Sequence, residues 1–298
     1  MYFSYLLKYL FNNSVKFILN VKTADLVSFK IGGKAKIAVF PKNINEFIDI
    51  LTILNDTKFV IIGNGTNCYF TDDYFDHPIV STRLLNKAYV DKNVVTAECG
   101  CTINSICKIA LKSELSGLEF AYGIPGSIGG GVYMNASAFG DSFSSVILSS
   151  KVYDKKSKAT YTITKEEHRF DTKHSIFKDG NLYVLESTFG LNDGKCNEIN
   201  QLMLKNMNKR INTQPLDMPS AGSVFIKPDG PSASALIDSL GLKGYSVGDA
   251  QVSKKHAGFI VNNGNAKATE VNELISHIKH LVNEKYNIAL KEEIIYIN

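Results

Sequence analysis

Short apolar runs rich in β-branched residues, each bounded by turn formers, recur through the first two-thirds of the chain: residues 36–40, 58–63, 77–82, 93–99, 146–154, 159–164 and 182–187. Their length and composition predict strands. Helical spacing is rarer there, over 103–115 and in a Gly-rich stretch entering 131–137. After about residue 195 the character changes: a polar helical run (197–211), a Pro/Ser/Gly stretch (215–230) and a short helix (233–241) follow, so a domain boundary is expected at 192–197. The clearest helix spans 269–286, where Val271, Leu274, Ile275, Ile278, Leu281 and Val282 form one apolar stripe, Thr269 is placed to cap and Asn287 to stop it. A closing strand is predicted over 288–297. Alternation there puts Glu292 with Ile294 and Tyr296, and Glu293 with Ile295 and Ile297. Either one glutamate is buried with a raised pKa or both are solvated edge carboxylates.

The composition fits this picture of a globular protein. The 298 residues carry 33 Lys+Arg against 29 Asp+Glu, a net charge of +4, and 44% are hydrophobic. A chain of this size buries a core without disulfide or metal staples. No run of basic residues points to nucleic acid. Five cysteines, with Cys99-Gly100-Cys101 the one close pair, match no common zinc or redox spacing, so ordinary thiols in a reducing compartment are expected. The apolar first twenty residues are broken by Lys8 and Asn12-Asn13 and lack a basic start and a small-residue cleavage site. They read as a packed amphipathic segment of a cytoplasmic protein with no membrane partner, membrane-surface attachment through this segment being the lesser alternative.

Two glycine loops carry the candidate chemistry. The first, Gly63-Asn64-Gly65-Thr66-Asn67, follows a buried strand, where Cβ-free positions let backbone N–H groups approach an anion. Position 68 is Cys rather than a third glycine and no Gly-Lys-Ser/Thr follows, so neither the dinucleotide nor the Walker pattern is met. Alone, it reads first as a tight turn and second as a phosphate cradle. The second runs Gly123-Ile124-Pro125-Gly126-Ser127-Ile128-Gly129-Gly130-Gly131 into a helix start, which favours ligand contact at the helix N-terminus and its preceding free amides. Two such loops suggest a dinucleotide. A third segment, Gln214-Pro215 and then Pro219 to Pro228, contains Ser223 behind a glycine but no nucleophile elbow, and by itself reads as a loop.

The order of the motifs is more telling than any one of them. IGGKA, GNGTN, GLEFAYGIPGSIGGGVYMNASAFG, HSIF, QPLDMPSAGSVF, GLKGYSVGDAQVSKKHAGFIVN and a final LKEEI form a series that resembles the UDP-N-acetylenolpyruvoylglucosamine reductase family from about residue 24 to the end. The resemblance implies an α+β, vanillyl-alcohol-oxidase-like FAD-binding fold. It divides the chain into residues 1–82 with the closing strand 289–298, residues 83–194, and a UDP-sugar-binding domain over 195–288. It implies non-covalent FAD, held by Gly63, Asn64, Gly65, Thr66 and Asn67 and by Tyr122, Gly123, Ile124, Pro125, Gly126, Ser127, Gly129, Gly130 and Asn135. NADPH is the implied hydride donor and UDP-N-acetylglucosamine-enolpyruvate the acceptor, in peptidoglycan precursor synthesis. Hydride passes through flavin N5 to C3 of the enolpyruvyl group, and Ser223 protonates C2. The chemistry needs that division because hydride addition leaves an enolate, whose charge must be stabilised and then quenched. The family glutamate beside the enolate carboxylate maps onto Glu293. No metal and no protein partner are implied, and a monomer is expected.

One position departs from the family. Where the pattern reads Phe-x-Tyr-Arg-x-Ser-x-Phe, this chain has Phe170-Asp171-Thr172-Lys173-His174-Ser175-Ile176-Phe177, with lysine in the arginine's place. Lysine keeps the charge but loses the planar two-pronged donor. Three readings follow, in this order: Lys173 acts as a point charge, Arg169 reaches in, or turnover is impaired. Gln214, Ser220 and Lys227 are candidate contacts to the sugar nucleotide, with a solvated loop as the equal alternative for Lys227. His256 and Tyr122 read first as packing groups, with a site role, for Tyr122 against the flavin, as the lesser alternative. A flavin oxidase of the same fold, or a flavin- or nucleotide-sugar-binding homologue without turnover, are the competing functions.

Overall fold

The computed structural model describes residues 2–298, which pack as two units. The first unit takes the chain up to Ile18 and residues 37–64 and 77–208. Its centre is a five-stranded antiparallel sheet in the order Ala159–Thr164, Ile147–Asp154, Leu182–Gly190, Val94–Glu98, Ala88–Asp91. A parallel ladder pairs Val60–Ile62 with Phe75–Ser81, Ile62 level with Ser81. Around these lie α1 (Tyr2–Asn12), α2 (Ile44–Ile53), α3 (Ile103–Lys112), α4 (Ile128–Tyr133), the single turn α5 (Phe143–Val146) and the start of α6 (Cys196–Thr213). The amphipathic N-terminal segment is α1, which buries Leu6 and Leu10 in the same core as Phe47 and Ile50 of α2, while Tyr9 donates to Asp49 at 2.7 Å. Edge-to-face contacts of Phe143 with Phe120 and Phe189 fill the middle of this core.

The second unit takes residues 19–36, 65–76 and 209–298. A four-stranded antiparallel sheet, in the order Ser220–Ser223, Phe259–Asn262, Ala250–Val252, Ser246–Val247, packs with α7 (Ala233–Ser239) and α8 (Ala268–Tyr286). From the predicted α8 stripe, Val271, Leu274, Ile275, Ile278 and Val282 are buried, beside Phe29, Ile31 and Tyr69. Asn287 ends the helix in the left-handed region, as expected. The start differs: the N-cap is Lys267, and the Thr269 hydroxyl instead donates to Asp72, whose carboxylate also accepts the amides of Ala268 (2.8 Å) and Thr269 (3.0 Å). A carboxylate from a distant segment takes the place of a local cap.

Three other elements depart from the sequence reading. The helix over 103–115 ends at Lys112, and that expected over 131–137 is displaced to 128–133, because Asn135 turns left-handed at φ 44°. The closing strand is regular only over Ile295–Ile297, parallel to Cys68–Phe70. Before it, Glu292 bridges Phe225 and the Glu293 amide donates to Val224 O, whereas the Ile295 amide donates to Asn67 O. This change of partner resets the alternation, so Ile294 and Ile297 are buried and Ile295 is exposed. Glu292 is an exposed carboxylate paired with Lys279 at 3.0 Å.

Cys68, Cys99, Cys101 and Cys107 are buried, Cys196 is exposed, and no disulfide joins any of them. Among the described residues no helix is long and apolar enough to cross a membrane, and no His/Cys/Asp/Glu group could hold a metal ion.

Candidate active site

The two glycine loops meet in the first unit through Gly63 and Ser127. A Cβ at Gly63 would lie 2.0 Å from Ser127 Oγ, so only glycine permits the approach. Yet the loops use their backbones differently. In the second loop, Gly123 N donates to Asn104 Oδ1 (2.6 Å), Ile124 N to Ala121 O, Gly126 N to Ile124 O, Ile128 N to Cys101 O and Gly129 N to Cys99 O. Ser127 caps α4, its Oγ accepting from Gly130 N at 3.3 Å. Most of the amides expected to be free around this helix start are therefore already bonded, the Ser127 amide excepted. Its glycines serve packing: a Cβ on Gly129 would meet Cys99 Cβ at 2.9 Å, and one on Gly131 the Phe143 ring at 2.6 Å. Burial pushes the Cys99 thiol well up and Cys101 to about 11, which makes both inert neutral groups. Tyr122 and Ile124 pack, half-buried, on the core of this unit, and Pro125 is exposed.

In the first loop, none of the hydrogen bonds of the described residues uses the amide N–H of Asn64, Gly65, Thr66 or Asn67. Gly63 and Asn64 offer their carbonyls to Arg83. The Ser81 hydroxyl, level with Ile62 just before the loop, is fully buried with no hydrogen-bond partner. Unbonded donors beside Cβ-free positions in this loop fit a pyrophosphate.

Lys173 also belongs to the first unit, at the tip of a two-residue turn. Asp171 and His174 exchange both backbone hydrogen bonds at 3.1 Å, and Lys173 adopts φ 55°. Its flanks are pinned from both sides. Ser175 Oγ donates to Tyr133 O at 2.8 Å. Asn135 donates from Nδ2 to Asp171 O (3.2 Å) and accepts the Ser144 amide at Oδ1 (3.0 Å). Asn135 thus braces the Lys173 turn. Upstream, His168 is fully buried and stacks on Phe170, with ring centroids 4.8 Å apart. Its Nδ1 lies 2.7 Å from Thr164 O, so Nδ1 carries the proton, and Nε2 meets Ser150 Oγ at 2.8 Å, which in turn meets Ser187 Oγ at 2.8 Å. Desolvation pushes the His168 pKa down and keeps the ring neutral. Arg169 is exposed at a left-handed φ of 49°.

In the second unit the structure draws three predicted residues together. Glu293 N donates to Val224 O at 2.7 Å, directly after Ser223, and Asn67 Nδ2 donates to Glu293 O at 3.1 Å. Ser223, half-buried at the end of Ser220–Ser223, stands level with Phe259. Gly222 before it has φ 81°, which fits glycine, and Val224 N donates to Gly258 O at 2.9 Å. His256 supports that point, accepting the Gly258 amide at Nδ1 (3.1 Å) and meeting Phe259 edge-on, and its pKa is pushed down by burial. Ser220 O accepts from Ser28 Oγ at 2.7 Å, Gln214 is half-buried after α6, and Lys227 is exposed. The residues missed from sequence are Arg83, Asn104, His168 and Asp72. Arg83, Asn104 and Asp72 lie outside any motif and bond partners 19 or more residues away, and His168 is marked only by its burial, so no local signal singles them out.

Comparison with known proteins bears on this arrangement. A profile of the UDP-N-acetylenolpyruvoylglucosamine reductase C-terminal domain matches residues 214–297, and an FAD-binding-domain profile matches 35–160. Among curated proteins, the UDP-N-acetylenolpyruvoylglucosamine reductase of Fervidobacterium nodosum is 43% identical over 293 residues, 97% of this chain and 94% of its own. That of Pseudothermotoga lettingae is 44% identical over 268 residues, 90% and 93% of the two chains. The crystal structure of UDP-N-acetylenolpyruvylglucosamine reductase (MurB) from Thermus caldophilus superposes with a TM-score of 0.81 at 28% identity, covering 95% of this chain and 99% of the other. The α+β, FAD-binding class expected from the sequence is the class found.

Proposed function

The chain belongs to the UDP-N-acetylenolpyruvoylglucosamine reductase family, and from that premise we propose that it reduces UDP-N-acetylglucosamine-enolpyruvate to UDP-N-acetylmuramate for peptidoglycan synthesis, with NADPH as donor. FAD, when bound, carries the hydride from NADPH to C3 of the enolpyruvyl group. The chain's own residues handle the charge and the proton. The observation that carries the reading is that the Glu293 backbone accepts from the Asn67 side chain and donates to Val224 O, next to Ser223, so that the segments bearing the proton donor, the carboxylate and the cofactor loop are tied together. Once hydride addition at C3 has left the enolate, Ser223 Oγ gives its proton to C2, so the double bond has become single and the serine regains a proton from solvent. Glu293 and Lys173 are assigned to the enolate carboxylate, Lys173 as a point charge. Gly63 to Asn67 hold the pyrophosphate, and Tyr122 to Gly130 line the flavin. Gln214, Ser220 and Lys227 contact the sugar nucleotide.

A three-part division into residues 1–82 with 289–298, 83–194 and 195–288, a cytoplasmic location and a monomer belong to the same reading. The buried thiols without disulfides support a reducing compartment. The test is NADPH oxidation by the purified protein with and without the enolpyruvyl sugar, with the flavin spectrum recorded alongside. Sugar-dependent consumption is expected. Flavin that NADPH reduces but the sugar never re-oxidises would shift the reading to an oxidase or a binding protein. Ser223→Ala should leave flavin reduction intact and slow re-oxidation alone, and equal loss of both half-reactions would remove Ser223 from its role.

A further inference from the structure

Two consecutive carbonyls of the first glycine loop are gripped by a single guanidinium. Arg83, in the turn Thr82–Leu84, donates from Nε to Gly63 O at 3.3 Å and from Nη2 to Asn64 O at 3.1 Å. No peptide bond here is cis. In a trans peptide the C=O and the N–H that follows point in opposite directions, so the Asn64 and Gly65 N–H groups face away from Arg83. Both are among the amides that no described residue accepts. A peptide whose carbonyl accepts from a cation is also polarised, which strengthens its N–H as a donor.

We propose that Arg83 is a positioning residue of the cofactor pyrophosphate cradle: its fork turns two successive peptides so that their N–H groups are presented together to the phosphates, without touching the phosphates itself. The inference rests on the FAD reading of this loop. A planar two-nitrogen donor suits two carbonyls one residue apart, because its donors are spaced and oriented in a fixed fork, whereas the three donors of a lysine ammonium converge on one nitrogen at the end of a flexible stem.

The test titrates the apoprotein with FAD by flavin fluorescence, and with ADP by displacement, for wild type, Arg83→Gln and Arg83→Lys at several chloride concentrations. Arg83→Gln should raise both dissociation constants by a common factor of about tenfold or more, the loss of charged hydrogen bonds behind the cradle. Arg83→Lys should recover less than half of that loss on a logarithmic scale, and the chloride dependence should match wild type in both variants. If Arg83→Gln fails to fold, the Arg83→Lys constants decide alone. FAD binding within twofold of wild type in the variants would overturn the inference, as would full rescue by lysine with a chloride dependence that weakens in Arg83→Gln, the signature of a direct phosphate ligand. Wild-type protein that takes up no FAD would sink the cofactor reading and this inference with it, whereas equal binding by wild type and both variants would sink this inference alone.

Discussion

At Lys173 the side chain and the backbone pull in different directions. A left-handed φ costs a residue with a Cβ about 1–2 kcal/mol, which glycine avoids. Lys173→Gly should therefore leave the urea midpoint unchanged or raised, yet lower kcat/KM if the ammonium serves the enolate. A variant that is stable and fully active would remove Lys173 from the site. Lys173→Arg should keep or raise activity, and its collapse would point to a site rebuilt around lysine. His168 gives a pH prediction. Burial depresses its folded pKa below the ordinary 6.5, so between the two values the unfolded chain binds more protons. Stability is then full above about pH 6.5 and falls on acidification, with His256 adding the same sign. Thermal melts between about pH 7 and pH 5 should show this slope, reduced in His168→Phe. That the register of Ser175 and Phe177 marks Lys173 was legible in the sequence. That Asn135 and Tyr133 pin its turn was not, because those bonds span 36 and 42 residues.

Among the elements, α8 was the most legible, since five positions of its predicted stripe are buried and Asn287 stops it where expected. Its beginning was not legible, because the group that satisfies the first amides is Asp72, nearly 200 residues away. Asp72→Ala should destabilise the protein by about 1 kcal/mol through the lost cap, read as a lower urea midpoint at unchanged slope. No change would mean that the amides find an equivalent partner. The closing strand shows the converse failure. Period-two alternation assumes one continuous partner, and here the partner changes between Glu293 and Ile295, so the phase shifts and the predicted faces dissolve. In the second glycine loop, the close packing of Gly129 on Cys99 and of Gly131 on Phe143 was likewise not legible from residue type and spacing.

For the whole molecule, cofactor binding and folding are linked. A ligand held only by the folded chain adds RT ln(1 + [L]/Kd), about 2.7 kcal/mol at a hundredfold excess over Kd. Stripping FAD should lower the melting temperature, and adding it back should restore it in proportion to the logarithm of its concentration; a melt indifferent to FAD would contradict the cofactor assignment. The chain by itself determined the strand-rich first part, the change of character near residue 195, the long C-terminal helix and the ordered series of motifs that places it in its family. These are local codes, carried by residue type and spacing within a few positions. The tertiary structure alone decided which amides of the glycine loops stay unbonded, which arginine bonds the carbonyls of Gly63 and Asn64, and how Asn67 and Glu293, 226 residues apart, come within one hydrogen bond. The physical reason is that such contacts are set by the packing of distant segments around two cores, and no short stretch of sequence encodes where its far partner will lie.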